Sequence, residues 1–293
     1  MDRVLRDKKA IALMVLPAFI IFIGIIFVPI IWTFVYSLFS GMPGLKFDYY
    51  GFTNYIDLFR NKQTLNAIAV NWRYIAVVTP SQVTLGLLTA VMIHFSVRKG
   101  KTFVRTIVFI PTILPAVAVA QMVIKMVALR PQYGLVNALL SGLNLEHLAQ
   151  AWLGRSDTAF TVLCIMDIWT AIGFYTVIFY GAIVDISEEM IEAARIDGAN
   201  SIKLFWHILL PSLKTMIVTC FVFSFTGTIK MFESSTALTA GGPGYATTSM
   251  TMNMYVNAFN YTQYGYASAV AFLILLKCVA ITAIINRIGK ERY

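Results

Sequence analysis

The chain reads as an all-α integral membrane protein with six membrane-crossing helices, and three observations carry that reading. Of its 293 residues 58% are hydrophobic and only 13% charged, against roughly half and one quarter in soluble domains. Six segments reach the roughly 20 mostly apolar residues that a crossing requires. The basic residues gather in alternate connecting segments, and so on one side, which is the pattern that sets orientation.

The expected spans are Ile11–Leu38, Ala67–Phe95, Phe103–Leu129, Ala159–Val184, Thr215–Phe232 and Tyr266–Ile285. The first is too long for the apolar core of a signal peptide and no small-residue cleavage site follows it, so it is kept as a mature helix. Six crossings put both termini on one side. Arg3, Arg6, Lys8, Lys9, Arg98, Lys99, Lys101, Arg105, Arg195, Lys203, Lys214, Arg287, Lys290 and Arg292 lie on that side. The other holds only Lys46, Arg60, Lys62, Arg130 and Arg155. Both termini are therefore expected in the cytoplasm. No linker, repeat or low-complexity run divides the chain, so 1–293 reads as one transmembrane domain.

A formal charge of +9 points to nucleic acid only where basic residues share an exposed face; here they flank apolar runs, and no nucleic-acid partner is expected. Cys164, Cys220 and Cys278 each lie inside an apolar run and read as small buried hydrophobes, not disulfides. His94, His147 and His207 lack metal-ligand spacing, so no metal is expected. The outer loops, SGMPGLKFDYYGFTNYIDLF among them, are rich in aromatic residues, Gly and Asn. Interfacial anchoring and docking of an extracytoplasmic partner both account for them.

Between the fourth and fifth spans lies EEMIEAARIDGANSIKLFWHILLP, Glu188 to Pro211, within a cytoplasmic segment covering 185–211. Asp185 or Ser187 can cap a short helix, with Glu188 and Glu189 in its first turn facing the positive helix end. Gly198 suits a left-handed stop, Asn200 and Ser201 suit a second cap, and Pro211 marks a kink. Met190, Ile191 and Ala194 fall at near-helical spacing, and Ala193 with Ala194 keeps the surface low enough for close approach. Glu188, Glu189, Glu192 and Asp197 outnumber Arg195. Helices that lie on lipid favour Lys and Arg, so this acidic one points to a protein partner.

Ionisable residues at membrane depth usually face a bundle interior or a cavity. Here they are Arg73, Lys125, Asp167, Lys230, Glu233 and Lys277. Lys230 and Glu233, three apart, suggest a pair on one helix face. Ser224, Thr228, Met231 and Ser235, with Gly227 beside them, recur at helical spacing. Such a stripe suits either sugar hydroxyls or helix–helix packing through small residues.

Glu192-Ala193-Ala194, then Gly198, then Ile208-Leu209-Leu210-Pro211 resembles the EAA motif in permease subunits of binding-protein-dependent ABC importers. LPAFIIFIGIIFVPIIWTFVYSLFS, GFTNYIDLF and LTAGGPGYATTSMTMNMYVNAFNYTQYGYASAVA resemble the carbohydrate branch, the maltose and glycerol-phosphate type, in its first-subunit version. The resemblance implies a type I importer permease fold in which the EAA segment is a coupling helix seated in a cleft of an ATPase subunit. Glu192 would contact that ATPase, Ala193 and Ala194 pack in its cleft, Gly198 make the turn, and Ile208, Leu210 and Pro211 anchor the returning helix.

It further implies a substrate path through Asp167, Trp169, Ala171, Ser224, Thr228 and Met231, with Trp169 stacking on a sugar ring and Asp167 accepting from sugar hydroxyls. Lys125, Lys230 and Glu233 are charges of structural or substrate-contacting kind, and Gly241, Gly242 and Pro243 belong to the docking surface for a binding protein. The expected function is uptake of a sugar, oligosaccharide or polyol derivative across a bacterial inner membrane, with no enzymatic activity in the chain. Expected partners are a second homologous permease, two ATP-binding subunits, an extracytoplasmic binding protein and membrane lipid. No GxxxxGK[ST] phosphate loop occurs, so no cofactor is expected here, and ATP and Mg would bind the partner subunits.

Two departures stand out: the chain lacks the extra spans and large outer domain of the maltose protein, and the Lys230/Glu233 pair is not part of the general pattern. A uronate oligosaccharide, a glycerol phosphate, an amino acid or a peptide is the alternative cargo, drawn by Lys125, Lys230 and Lys277. A membrane-embedded enzyme would need a catalytic cluster at one depth, and no His or Cys is expected to act with Asp167 or Glu233 as one. A scaffold without transport is the remaining alternative.

Overall fold

The computed structural model describes residues 8–129 and 133–289. Arg3, Arg6, Arg130, Lys290 and Arg292 of the orientation argument lie outside them. The chain forms two compact units: Met1–Leu65 with Asn253–Leu276, and Asn66–Met252 with Lys277–Tyr293.

In the first unit, α1 (Lys8–Phe22) and α2 (Val28–Ser37) are joined by a π-helical turn, Ile23–Phe27. The apolar stretch Ile11–Ser37 has a mean hydropathy of 3.0 and buries none of its most apolar window. Proline has no N–H and its ring crowds the carbonyl four residues back; the widened turn directly before Val28-Pro29 relieves that crowding. The loop that follows α2 is not wholly helical or irregular: β1 (Phe39–Gly41) pairs antiparallel with β2 (Phe47–Tyr49), Phe39 opposite Tyr49, and Phe39 stacks on Phe47 at 4.8 Å. Alternation of aromatic and small residues over so few positions is too short a signal to read as a strand.

GFTNYIDLF becomes α3 (Thr53–Arg60). Its Leu58 is fully buried, and Asn54 donates to the carbonyls of Ser37 (2.8 Å) and Phe39 (2.7 Å), satisfying backbone groups that the hairpin leaves over. A Cβ on Gly265, near the start of α15 (Tyr264–Gly289), would overlap the Phe39 carbonyl oxygen. Only glycine lets that helix come so close.

In the second unit α4 (Lys62–Ser96), α5 (Lys101–Ile113), α8 (Ser156–Val184) and α12 (Lys214–Ile229) supply the packing. Two glycines set the closest approaches: a Cβ on Gly86 would strike Tyr175, and one on Gly173 would strike the Val108 carbonyl. Val83, Leu87, Ala90, Phe179, Ile183, Leu213 and Cys220 form one apolar core. Val70, Val78, Val119, Ala120, Leu163 and Met166 belong to another.

Among the described residues four helices are long and apolar enough to cross a membrane, or up to six if each bent pair counts as one span. The expected continuous span Phe103–Leu129 is broken: α5 and α6 (Ala116–Met126) meet at 95°. Leu114 precedes Pro115 and is driven into extended backbone, ψ 138°, because the proline ring excludes the helical region there. The expected span Thr215–Phe232 also ends early, at Ile229, and a separate helix α13 (Glu233–Thr239) starts after a three-residue break. For this reason Ser235 does not continue the Ser224/Thr228 face. Between α6 and α8, Asn137 of α7 (Leu135–Gly142) donates to the carbonyls of Ala128 and Gln150 and accepts from the Trp152 indole at 2.9 Å.

Candidate functional site

The segment Glu188–Pro211 folds as its punctuation dictates. α9 (Glu188–Ile196) ends in a glycine-closed cap: Gly198 has φ +81°, its N–H donates to Arg195, and Ala199 N–H reaches back to Ala194. That two-bond arrangement is the Schellman motif. Ser187 occupies the N-cap position without a side-chain bond, and Asp185 instead closes α8. Asn200 caps α10 (Ser201–Leu204) by accepting from Lys203 N–H at 2.9 Å. A second π-helical turn, Phe205–Leu209, leads into α11 (Leu210–Ser212), and the chain bends 70° before α12. As at Pro29, the widened turn directly precedes the residue before a proline, here Leu210-Pro211.

Glu192, Ala193, Arg195 and Gly198 are exposed, and Ala194 is half-buried. Ile191 and Leu204 face inward at 7% and 5% exposure. Ile208 and Leu210 are half-buried and Pro211 is exposed, while Leu209, which sequence reasoning passed over, is the anchor at 1%. Outward stand Met190, Ile196, Ile202 and Trp206, all exposed, an apolar fringe beside the acidic residues.

The second feature is a cavity of ≈ 410 Å³ walled by α4, α8 and α12 and by the break before α13. Five of the six path residues line it: Asp167, Ala171, Ser224, Thr228 and Met231. Trp169 does not. Two residues on from Asp167 it points the other way along α8 and joins an apolar groove with Met122, Met126 and Trp152. An adjoining depression of ≈ 460 Å³ shares Asp167, Thr170, Ala171, Tyr175 and Glu233 and runs to the Leu114–Pro115 break. Irregular backbone at membrane depth is tolerated where it lines a cavity, and both breaks do.

A hydrogen-bonded frame holds this wall. The Tyr74 hydroxyl donates to the Asp167 carboxylate. Gln82 donates to the Asp167 backbone carbonyl at 3.0 Å and accepts from the Ser224 hydroxyl at 2.8 Å. Thr79 and Thr228 share a hydrogen bond of 3.0 Å. Asn71 reaches the carbonyls of Thr228 and Ile229, at the C-terminal end of α12. Asn71, Thr79 and Gln82 are buried and recur eight and three residues apart on one face of α4. That polar periodicity inside an apolar span is a signal legible in the sequence.

The charges distribute differently from expectation. Lys230 and Glu233 both line the cavity but make no ion pair among the described residues: Lys230 ends one helix and Glu233 starts the next, so they never share a face. Lys125 is exposed in the last turn of α6. Lys277 lies outside the cavity lining, with its Nζ 2.6 Å from Asn71 Oδ1 and 4.4 Å from the Trp72 ring centroid.

The GGPG turn is internally braced. Gly241 is buried at φ +86°; Thr247 and Thr248 donate to the carbonyls of Gly242 and Gly241, each at 3.0 Å. Gly242 and Pro243 are half-buried, and Gly244 and Tyr245 form the exposed tip.

Residues 82–291 match the family model described as the inner membrane component of binding-protein-dependent transport systems. The chain is 32% identical to the probable ABC transporter permease protein YurN of Bacillus subtilis, over 94% of this chain and 95% of that one. It is 32% identical to the multiple sugar-binding transport system permease protein MsmF of Streptococcus mutans (85% and 84%), and 29% identical to the trehalose/maltose transport system permease protein MalF of Thermococcus litoralis (98% and 96%). In fold it matches a chain of a bacterial ABC transporter involved in the import of the acidic polysaccharide alginate, with a TM-score of 0.83 at 24% identity over 98% and 97% of the two chains. The broken helices, the cavity they frame and a family match spanning most of the sequence agree: this chain belongs to the inner membrane permease components of binding-protein-dependent ABC transport systems.

Proposed function

We propose that the chain is the transmembrane permease subunit of an ATP-driven importer for a sugar, oligosaccharide or related polyol derivative, set in a bacterial inner membrane with both termini in the cytoplasm. The observation that carries the reading is the polar cavity at Asp167, Ser224 and Thr228, together with relatives named for multiple sugars and for trehalose and maltose. A homologous second permease, two ATP-binding subunits and an extracytoplasmic binding protein complete the importer. ATP and Mg belong to the ATP-binding subunits.

The binding protein docks on the outer loops, at the braced turn containing Gly241, Gly242 and Pro243, and releases its sugar inward. The sugar exchanges water for the hydroxyl, amide and carboxylate groups of the cavity. Closure of the ATP-binding subunits reaches the spans through α9: Glu192 engages the ATPase surface, Ala193 and Ala194 allow close approach, and Gly198 redirects the chain. Leu209 and Leu210, set in the core, turn displacement of α9 into movement of α12.

The test is to purify the importer with its binding protein, identify the bound ligand by mass spectrometry, and measure its uptake into proteoliposomes. A carbohydrate ligand with ATP-dependent uptake supports the reading. An amino acid or peptide ligand, or uptake indifferent to ATP, refutes it.

A further inference from the structure

The hydroxyl protons around the cavity are largely committed to the protein itself. Tyr74 donates to the Asp167 carboxylate, Thr170 to the Asp167 carbonyl at 3.1 Å, Ser224 to Gln82 at 2.8 Å, and Thr228 to the Ser224 carbonyl at 2.9 Å. Each hydroxyl has one proton and two lone pairs, so a hydroxyl that donates to the protein has only an acceptor left for a guest. To these acceptors the wall adds two carboxylates, Asp167 and Glu233, neither in an ion pair among the described residues, against one lining ammonium, Lys230.

A wall in which these acceptors outnumber the donors of Lys230 and Tyr175 is complementary to a guest that donates. Sugar hydroxyls donate as well as accept; carboxylates, sulfonates and phosphates only accept. An anionic group placed here would face like charge and leave its oxygens and the wall's unpaired, each at the cost of a buried polar group without a partner.

We infer that the cavity selects uncharged polyol rings and rejects anionic sugars, and that Asp167 and Glu233 set this discrimination. The inference rests on the reading of the cavity as a sugar site, and it narrows that reading by charge. Gln82 keeps the selection in place by holding the Ser224 proton away from the cavity.

Saturation-transfer NMR on the intact importer in detergent, without its binding protein, reads weak contacts at millimolar ligand. The probes are maltose, trehalose and maltotriose against glucuronate, galacturonate and a mannuronate trisaccharide. Transfer is expected to at least one neutral probe and to no uronate, with Ser224→Phe, which fills the cavity, abolishing it. In Asp167→Asn/Glu233→Gln the uronate signal is expected to rise at least threefold. Uronate transfer equal to neutral transfer in the unmodified importer overturns the charge selection and leaves the sugar site standing, and neutral transfer that survives Ser224→Phe overturns the assignment to this cavity. Absence of transfer to any probe overturns the sugar reading itself.

Discussion

The Ser224 hydroxyl donates to Gln82 Oε1 across 2.8 Å, and the same Gln82 amide donates to the Asp167 carbonyl at 3.0 Å. One side chain of α4 thereby fixes both α12 and α8 at the cavity. Gln82→Leu removes both bonds and leaves Ser224 free to turn its proton inward. Loss of such buried bonds costs about 1–3 kcal/mol of fold stability. The unfolding temperature of the purified importer should fall and ATP-dependent uptake in proteoliposomes should drop, with assembly of the importer unchanged by size-exclusion chromatography.

Asn71 accepts from Lys277 (2.6 Å) and donates to two carbonyls that end α12. Asn71→Leu takes the Asn71 donor from the Ile229 carbonyl and the Asn71 acceptor from the half-buried Lys277 ammonium, while the Thr228 carbonyl keeps the Met231 N–H; each group that loses its partner costs about 1–3 kcal/mol. Thermal unfolding of the purified complex should shift clearly downward. The effect of Lys277→Met should be smaller, because it takes the charge away with its desolvation cost and leaves the Asn71 donor bonds intact.

Two glycines on α8 should respond oppositely to alanine. A Cβ on Gly173 meets the Val108 carbonyl and Phe109 Cα, whereas one on Gly181 meets nothing within 4 Å. Gly173→Ala forces α5 away from α8, an overpacking cost of about 1–3 kcal/mol. Gly181→Ala gains helix propensity at about 1 kcal/mol and should raise the unfolding temperature.

Leu209 and Ile196 separate anchoring from docking. Leu209 is 1% exposed and Ile196 84%. Leu209→Ala should cost about 2–5 kcal/mol in fold stability. Ile196→Ala should stay within about 0.5 kcal/mol of the original while weakening pull-down of the ATP-binding subunits.

Much of the fold was legible because apolar length and helix punctuation are local. Gly198 and Asn200 act through a few neighbouring backbone groups, and both take the positions their types prefer. The two breaks were not legible as breaks, since Leu114–Pro115 and Lys230–Phe232 lie inside apolar stretches whose average hydropathy hides a change of direction. That concealed break is also why Lys230 and Glu233 looked paired. The cavity was half legible: Asp167, Ser224 and Thr228 stand out as polar residues in spans, whereas Tyr74, Gln82 and Tyr175 acquire their place only when α4 packs against α8 and α12. Trp169 was misdirected for a simpler reason, being two residues from Asp167 on a helix with 3.6 residues per turn.

Gly198→Pro is the sharpest test of α9 as the element through which a partner ATPase moves the spans. Proline holds φ near −65° and cannot adopt +81°; it also deletes the N–H that donates to Arg195. The measurement is ATP-dependent uptake of the binding protein's own ligand into proteoliposomes, alongside membrane insertion and the ATPase rate of the same preparation. A normally inserted importer whose uptake falls by at least tenfold is expected. Uptake at the unmodified rate would contradict that role of α9.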